Sequence, residues 1–160
     1  CCLLSFKGRH RPVWGRGFTG LFFLDEVTAF AAGHRPCFEC RRKNAEEFAR
    51  LWPGRRTREN RAYVADMDAI LQSERLDGRD KRRHRLPIAD LPDGAATVIP
   101  GDEGQAAMLR GRKLLRWTSK GYVSSGQRPR SGKVDVLTPP SILAVLRAGY
   151  RPLWHPSADV

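Results

Sequence analysis

The sequence predicts an α+β fold: a small N-terminal α/β unit followed by a short-stranded antiparallel sheet with a C-terminal helix. Two observations carry this expectation. Before residue 85 the apolar residues recur at helical spacing, and after residue 95 they fall into short runs separated by Gly-rich turns. A third feature, Cys37-Phe38-Glu39-Cys40 at the mouth of a helical segment, marks the N-terminal unit as chemically distinct.

The elements follow in chain order. Lys7 to Pro12 and Gly15-Arg16-Gly17 are turn-rich and positive, an extended basic entry. Leu21-Phe22-Phe23-Leu24 is a short apolar run suited to a buried strand. Asp25 then caps a short helix holding Thr28 to Ala32, with Gly33 as its left-handed stop. Pro36 keeps that helix from resuming, and a second helix runs from Cys37 through Trp52 to Pro53-Gly54.

A third helix is expected from about Ala62 to Leu76, with Met67, Ile70 and Leu71 on one face. Arg55, Arg56, Arg58 and Arg61 flank it on one side and Lys81-Arg82-Arg83-His84-Arg85 on the other. Leu86-Pro87 and Leu91-Pro92-Asp93-Gly94 mark a linker. Strands are expected at Thr97-Val98-Ile99, Lys113 to Thr118, Gly121-Tyr122-Val123 and Val134 to Leu137. Thr138 caps the last helix, Pro139 suits its first position, Ile142 to Ala148 fill it and Gly149 ends it. The organisation is thus residues 1–53, a basic helical segment and linker at 54–94, and a β-rich region at 95–160, compatible with one compact domain overall. Ala32-Gly33-His34-Arg35-Pro36 echoes Ala148-Gly149-Tyr150-Arg151-Pro152, but the second copy lacks the cysteines, so recurrent helix-stop punctuation explains the echo.

Composition narrows the class. With 160 residues, 41% of them apolar, the chain can build one packed core. No apolar stretch is long enough to cross a bilayer, and no membrane partner is expected. The chain starts Cys-Cys-Leu-Leu without Met or a signal-like apolar segment, as a fragment with residues missing upstream would. Four cysteines are too sparse for a disulfide-built scaffold, so a cytoplasmic protein with a metal site or reduced thiols is expected. Twenty-nine Lys and Arg against seventeen Asp and Glu leave a net charge of +12. Arg supplies most of it, and its planar fork of donors suits phosphate, so nucleic acid is the expected partner, DNA in preference to RNA. Arg-for-Lys replacement in GC-rich genomes explains the ratio but not the excess. The oligomeric state is left open.

Two thiolates three apart, at a turn into a helix, chelate one tetrahedral zinc from the same side. The same spacing serves redox dithiols, although a helix stop and Pro36 stand where that reading wants an apolar strand. Unused structural cysteines are the plain alternative. Zinc is the expected cofactor, with Cys37, Cys40 and Cys2 as ligands and a fourth drawn, in order, from Cys1, His34, His10 and His155. His84, inside a basic run, reads as a hydrogen-bonded side chain.

The stretch Leu21 to Arg42, above all Ala32-Gly33-His34-Arg35-Pro36-Cys37-Phe38-Glu39-Cys40-Arg41, resembles the N-terminal zinc domain of the Ada methylphosphotriester DNA repair proteins. The resemblance implies a zinc held by four cysteines, with Cys37 and Cys40 as the downstream pair and Cys2 or Cys1 as an upstream ligand. One upstream cysteine of that family also accepts a methyl group from a DNA phosphotriester. Here Cys1 and Cys2 are adjacent where the family separates its upstream pair by three residues, and His34 replaces an aromatic residue. The likeness covers about a quarter of the chain and supports zinc binding and DNA contact more than methyl transfer.

Arg35, Arg41, Arg42, Arg82 and Arg83 are the expected phosphate contacts. No phosphate-binding Gly-Lys-Ser/Thr loop, nucleophile elbow or His-Glu-x-x-His helix occurs. Asp25-Glu26 is explained by helix capping, and Glu39 lacks the His-x-Glu context of a zinc deaminase base. Trp52, Trp117, Tyr122, Tyr150 and Trp154 read as core packing rather than base-stacking platforms. The leading expectation is a non-catalytic zinc protein that contacts nucleic-acid phosphates non-specifically. The alternatives are an enzyme on nucleic acid, using a zinc-bound thiolate as methyl acceptor or metal-assisted hydrolysis, and a protein-binding scaffold.

Overall fold

A computed structural model describes residues 1–8, 14–15, 18–54, 57–99 and 101–159. Helix α1 (Glu26–Ala31) begins as the sequence dictates: Thr28 N donates to Asp25 Oδ1 at 2.9 Å, and Asp25 N donates to Thr28 Oγ1 at 3.1 Å. This reciprocal pair satisfies two groups the helix leaves open. Gly33 then turns the chain with φ of 80°.

The run before α1 is not a strand. Leu21 and Phe22 are 69% and 64% exposed, and only Phe23 and Leu24 turn inward. Apolar residues without a partner strand have no ladder to join, so the segment enters α1 as irregular chain. Helix α2 (Arg42–Leu51) starts after the cysteine turn rather than at Cys37. Helix α3 (Val64–Arg75) buries Met67 and Leu71 but leaves Ile70 39% exposed, off the expected face.

These helices share one core with helix α4 (Pro140–Arg147). Phe30, Phe48, Trp52, Met67, Leu71, Ile142, Val145 and Tyr150 form it, with Phe48 edge-on to Tyr150 at 5.5 Å between centroids. Each of the segments 1–53, 54–94 and 95–160 contributes to this core.

The sheet has six strands: β1 (His84–Pro87), β2 (Ala96–Ile99), β3 (Asp102–Arg110), β4 (Lys113–Thr118), β5 (Gly121–Gln127) and β6 (Lys133–Val136). Their order is β1-β6-β2-β3-β4-β5, with every neighbour antiparallel. The α+β class is therefore as expected. Residues 86–87 lie in edge strand β1, with Leu86 opposite Val134, not in a linker. Strand β3 escaped the sequence because its first half is polar and Ala106-Ala107 carry too little bulk to show a period of two.

Register divides the apolar residues between two faces. Ala96, Met108, Leu115 and Tyr122 pack with Val27 of α1 and Ala158. Ala107, Leu109, Leu114, Val134 and Val136 pack with Leu143 of α4, Ile88 and Leu91. Thr138 is buried but does not cap α4; its Oγ1 accepts from Ala96 N at 2.9 Å and anchors β2. The first turn of α4 is instead met by Glu74 of α3, whose carboxylate accepts from Ser141 N at 3.0 Å and Ser141 Oγ at 2.8 Å. A negative charge is stabilising there. No helix among the described residues is long and apolar enough to cross a membrane.

Candidate metal centre

The cysteine turn is built by its flanks. Gly33 and Pro36 end α1 and hold residues 34–36 extended, and Arg41 N donates to Cys37 O at 3.0 Å, closing one turn ahead of α2. The N-terminal segment pairs against this stretch: Cys1 N donates to Arg35 O, and Cys37 N donates to Cys1 O at 3.0 Å. That pairing brings Cys2 onto the motif. The sulfurs of Cys2, Cys37 and Cys40 lie within 4.8 Å of one another, close enough to hold a metal ion.

The donor set fits zinc. Tetrahedral bonds of about 2.3 Å separate sulfurs by about 3.8 Å, a small adjustment from this arrangement. Backbone N–H groups already point at the sulfurs: Glu39 N reaches Cys37 Sγ at 3.4 Å, and Leu3 N reaches Cys40 Sγ at 3.3 Å. Such donors favour thiolate. Burial opposes the ionisation of Cys37, but the backbone donors of Cys40 and Glu39 and the neighbouring thiols bring it down to about 7. Burial, with Cys37 and Cys40 beside it, pushes Cys2 up to about 11. The thiols therefore share one negative charge, the state a soft cation displaces protons from. None of the four cysteines is in a disulfide.

The proposed fourth ligands are not in this group. Arg41 Nη1 donates to Cys1 Sγ at 3.1 Å, outside the three-sulfur set. The half-buried His34 ring stacks on Phe23 at 5.0 Å, and burial with nearby positive charge, including Arg75 and Lys81, lowers its pKa. His155 bonds Ser157 Oγ through Nδ1 at 2.8 Å beside β5, and His10 lies outside the described residues. His84 is hydrogen-bonded, through Nε2 to Glu74 O at 2.9 Å.

Among the expected phosphate contacts, Arg41 is turned inward. It is 8% exposed and pairs with Glu26 Oε1 at 2.7 Å. A buried carboxylate needs a cation, and Glu26 recruits the first one that follows the cysteine turn. Tyr150 Oη at 3.0 Å and Leu153 N at 2.9 Å complete the Glu26 contacts. Arg35 forks onto both Asp68 oxygens at 2.7 Å and lies 5.4 Å from the Phe38 ring. Arg42 is exposed beside Glu46 at 2.9 Å. Arg82 donates to Leu76 O at 2.9 Å, and Arg83 stands 3.9 Å from Asp135.

Sequence inspection passed over Arg112, Arg116 and Arg130, which are exposed and face no carboxylate among the described residues. Arg128 N donates to Arg112 O at 2.8 Å, so residues 112–113 and 128–130 meet at one end of the sheet. Only their density of positive charge, diluted by the whole chain's excess, could have signalled them. No protein-family model, curated protein or solved structure matches the chain.

Proposed function

We propose that this is a zinc protein of the Ada-like type in which a closed metal site staples the N-terminal segment to the cysteine turn, and in which exposed arginines hold nucleic-acid phosphates. The observation that carries the metal is the three-sulfur group of Cys2, Cys37 and Cys40. Cys1 is the fourth ligand we assign, because its backbone is already bonded to Arg35 and Cys37. Four thiolates close the site, which makes its role structural rather than catalytic.

The phosphate contact is supported by the +12 net charge and by the cations that lack acidic partners. Arg112, Arg116 and Arg130 carry it, with Arg42, Arg82 and Arg83 as weaker contributors already screened by Glu46, Asp77 and Asp135. Such contact is insensitive to sequence and falls steeply with salt.

Elemental analysis of unchelated protein tests the metal: one zinc per chain is expected, lost in Cys37→Ser, which unfolds the N-terminal unit because such a site contributes on the order of 10 kcal/mol. A metal-free protein of unchanged stability would refute it. Fluorescence anisotropy with labelled duplex and single strand tests the contact. Replacing Arg112 and Arg130 by Ala flattens the salt slope by about 2 units, and replacing Arg82 and Arg83 flattens it less. Binding indifferent to salt, or none at low salt, would overturn this part alone.

A further inference from the structure

Beside the cysteine cluster lies a cleft of about 520 Å³ whose wall includes His34, Arg35, Cys37, Phe38, Asp68 and Arg75. Its volume is in the range of small-molecule sites. The charges around it do not balance. Asp68 is matched oxygen for nitrogen by Arg35, and the other wall carboxylate, Glu39, is exposed at the surface. The guanidinium of Arg75 finds only the neutral Gln72 Oε1, 2.9 Å from Nε.

Strand-like pairing of Leu76 with Lys81 sets a second cation behind the first. Lys81 Nζ is buried and has no hydrogen-bond partner among the described residues. Burial and the charge of Arg75 push this ammonium down to about 8, so at neutral pH it keeps its charge against both influences. Gly33 makes room for the arrangement, since a Cβ there would stand 2.8 Å from Arg75 Cβ and Cδ.

Two adjacent cations without a counter-charge destabilise a fold, and a buried ammonium with no acceptor does so twice over. An anion in the cleft would relieve both defects. A tetrahedral dianion matches the two charges, and the planar fork of Arg75 suits its oxygens. We propose that this cleft binds a phosphate group, with Arg75 as its principal contact, Lys81 supplying the second positive charge and His34 forming the wall beside it. The space beyond one phosphate suits the nucleoside or sugar of a phosphomonoester. This site is distinct from the diffuse surface contact of Arg112, Arg116 and Arg130 and does not depend on it.

The test uses the full chain with its metal, and three probes: inorganic phosphate, an oligonucleotide with a 5′-phosphate, and the same strand without one. Phosphate is expected to raise Tm where chloride at equal ionic strength does not. The response disappears in Lys81→Met and Arg75→Gln. Lys81→Met melts at or above the wild-type temperature without phosphate, which separates lost binding from lost folding. The phosphorylated strand binds at least about tenfold tighter than its partner, as one or two charge-assisted bonds imply, and both variants erase that preference. Response to inorganic phosphate without strand preference assigns the site to a small phosphomonoester. No phosphate-specific rise in the wild type, or an equal rise in both variants, overturns the proposal. Failure of the unphosphorylated strand to bind bears only on the surface contact.

Discussion

Glu26→Gln isolates the interaction that turns Arg41 away from solvent. Glu26 is 4% exposed and accepts from Arg41 Nη1 at 2.7 Å, Tyr150 Oη at 3.0 Å and Leu153 N at 2.9 Å. Glutamine keeps the volume and part of the hydrogen bonding but removes the charge. Arg41, 8% exposed and with Nη2 already unpartnered, is then left as a buried guanidinium facing only Cys1 Sγ. Removing one partner of a buried pair costs about 3–5 kcal/mol, because the other charge remains desolvated. A second substitution, Arg41→Met, removes the stranded charge, so the double variant recovers most of that loss. Urea unfolding of the zinc-loaded protein at pH 7 measures all three variants, with equal m-values as the condition for comparing them. A loss below about 1 kcal/mol in Glu26→Gln refutes the reasoning. So does an Arg41→Met variant of unchanged stability that no longer binds nucleic acid, since Arg41 would then serve a ligand.

Three further outcomes are expected. Lys81 titrates near 8 when folded against 10.5 when unfolded, so the unfolded chain binds more protons between those values. Its destabilisation is full below pH 8 and fades as the pH rises to 10.5; the gap corresponds to about 3 kcal/mol, reduced by partial exposure to about 1–2 kcal/mol. Lys81→Met therefore stabilises by that amount in urea melts at pH 7 and by nearly nothing at pH 10.5, and a pH-independent gain contradicts this. Thr138→Val strands Ala96 N, which the hydroxyl now accepts from at 2.9 Å, and lowers stability by about 1–3 kcal/mol; a neutral effect shows that β2 is anchored elsewhere. Gly33→Ala forces a side chain into a φ of 80° and against Arg75, costing at least about 1–2 kcal/mol by thermal melt, and an unchanged Tm means the turn relaxes freely.

What the sequence determined by itself was local. Asp25 and Thr28 cap α1, Gly33 and Gly149 end their helices with positive φ, and the bounds of β4 coincide with the expected run, because each depends on residues within a few positions. The Cys37–Cys40 turn belongs to the same class, and its chemistry was legible from spacing alone. Tertiary structure decided what depends on distant partners. Cys2 joins the turn only because Cys1 pairs with residues 35–37. Leu21 and Phe22 stay exposed for want of a strand to join, and residues 84–87 become a strand because β6 lies beside them. Thr138 serves β2 instead of α4, and Arg41, indistinguishable by type from exposed Arg42, is buried because Glu26 is buried beneath it. A side chain's charge and shape are written in the sequence, but whether it meets water, a carboxylate or another cation is set by residues that only folding brings within hydrogen-bond reach.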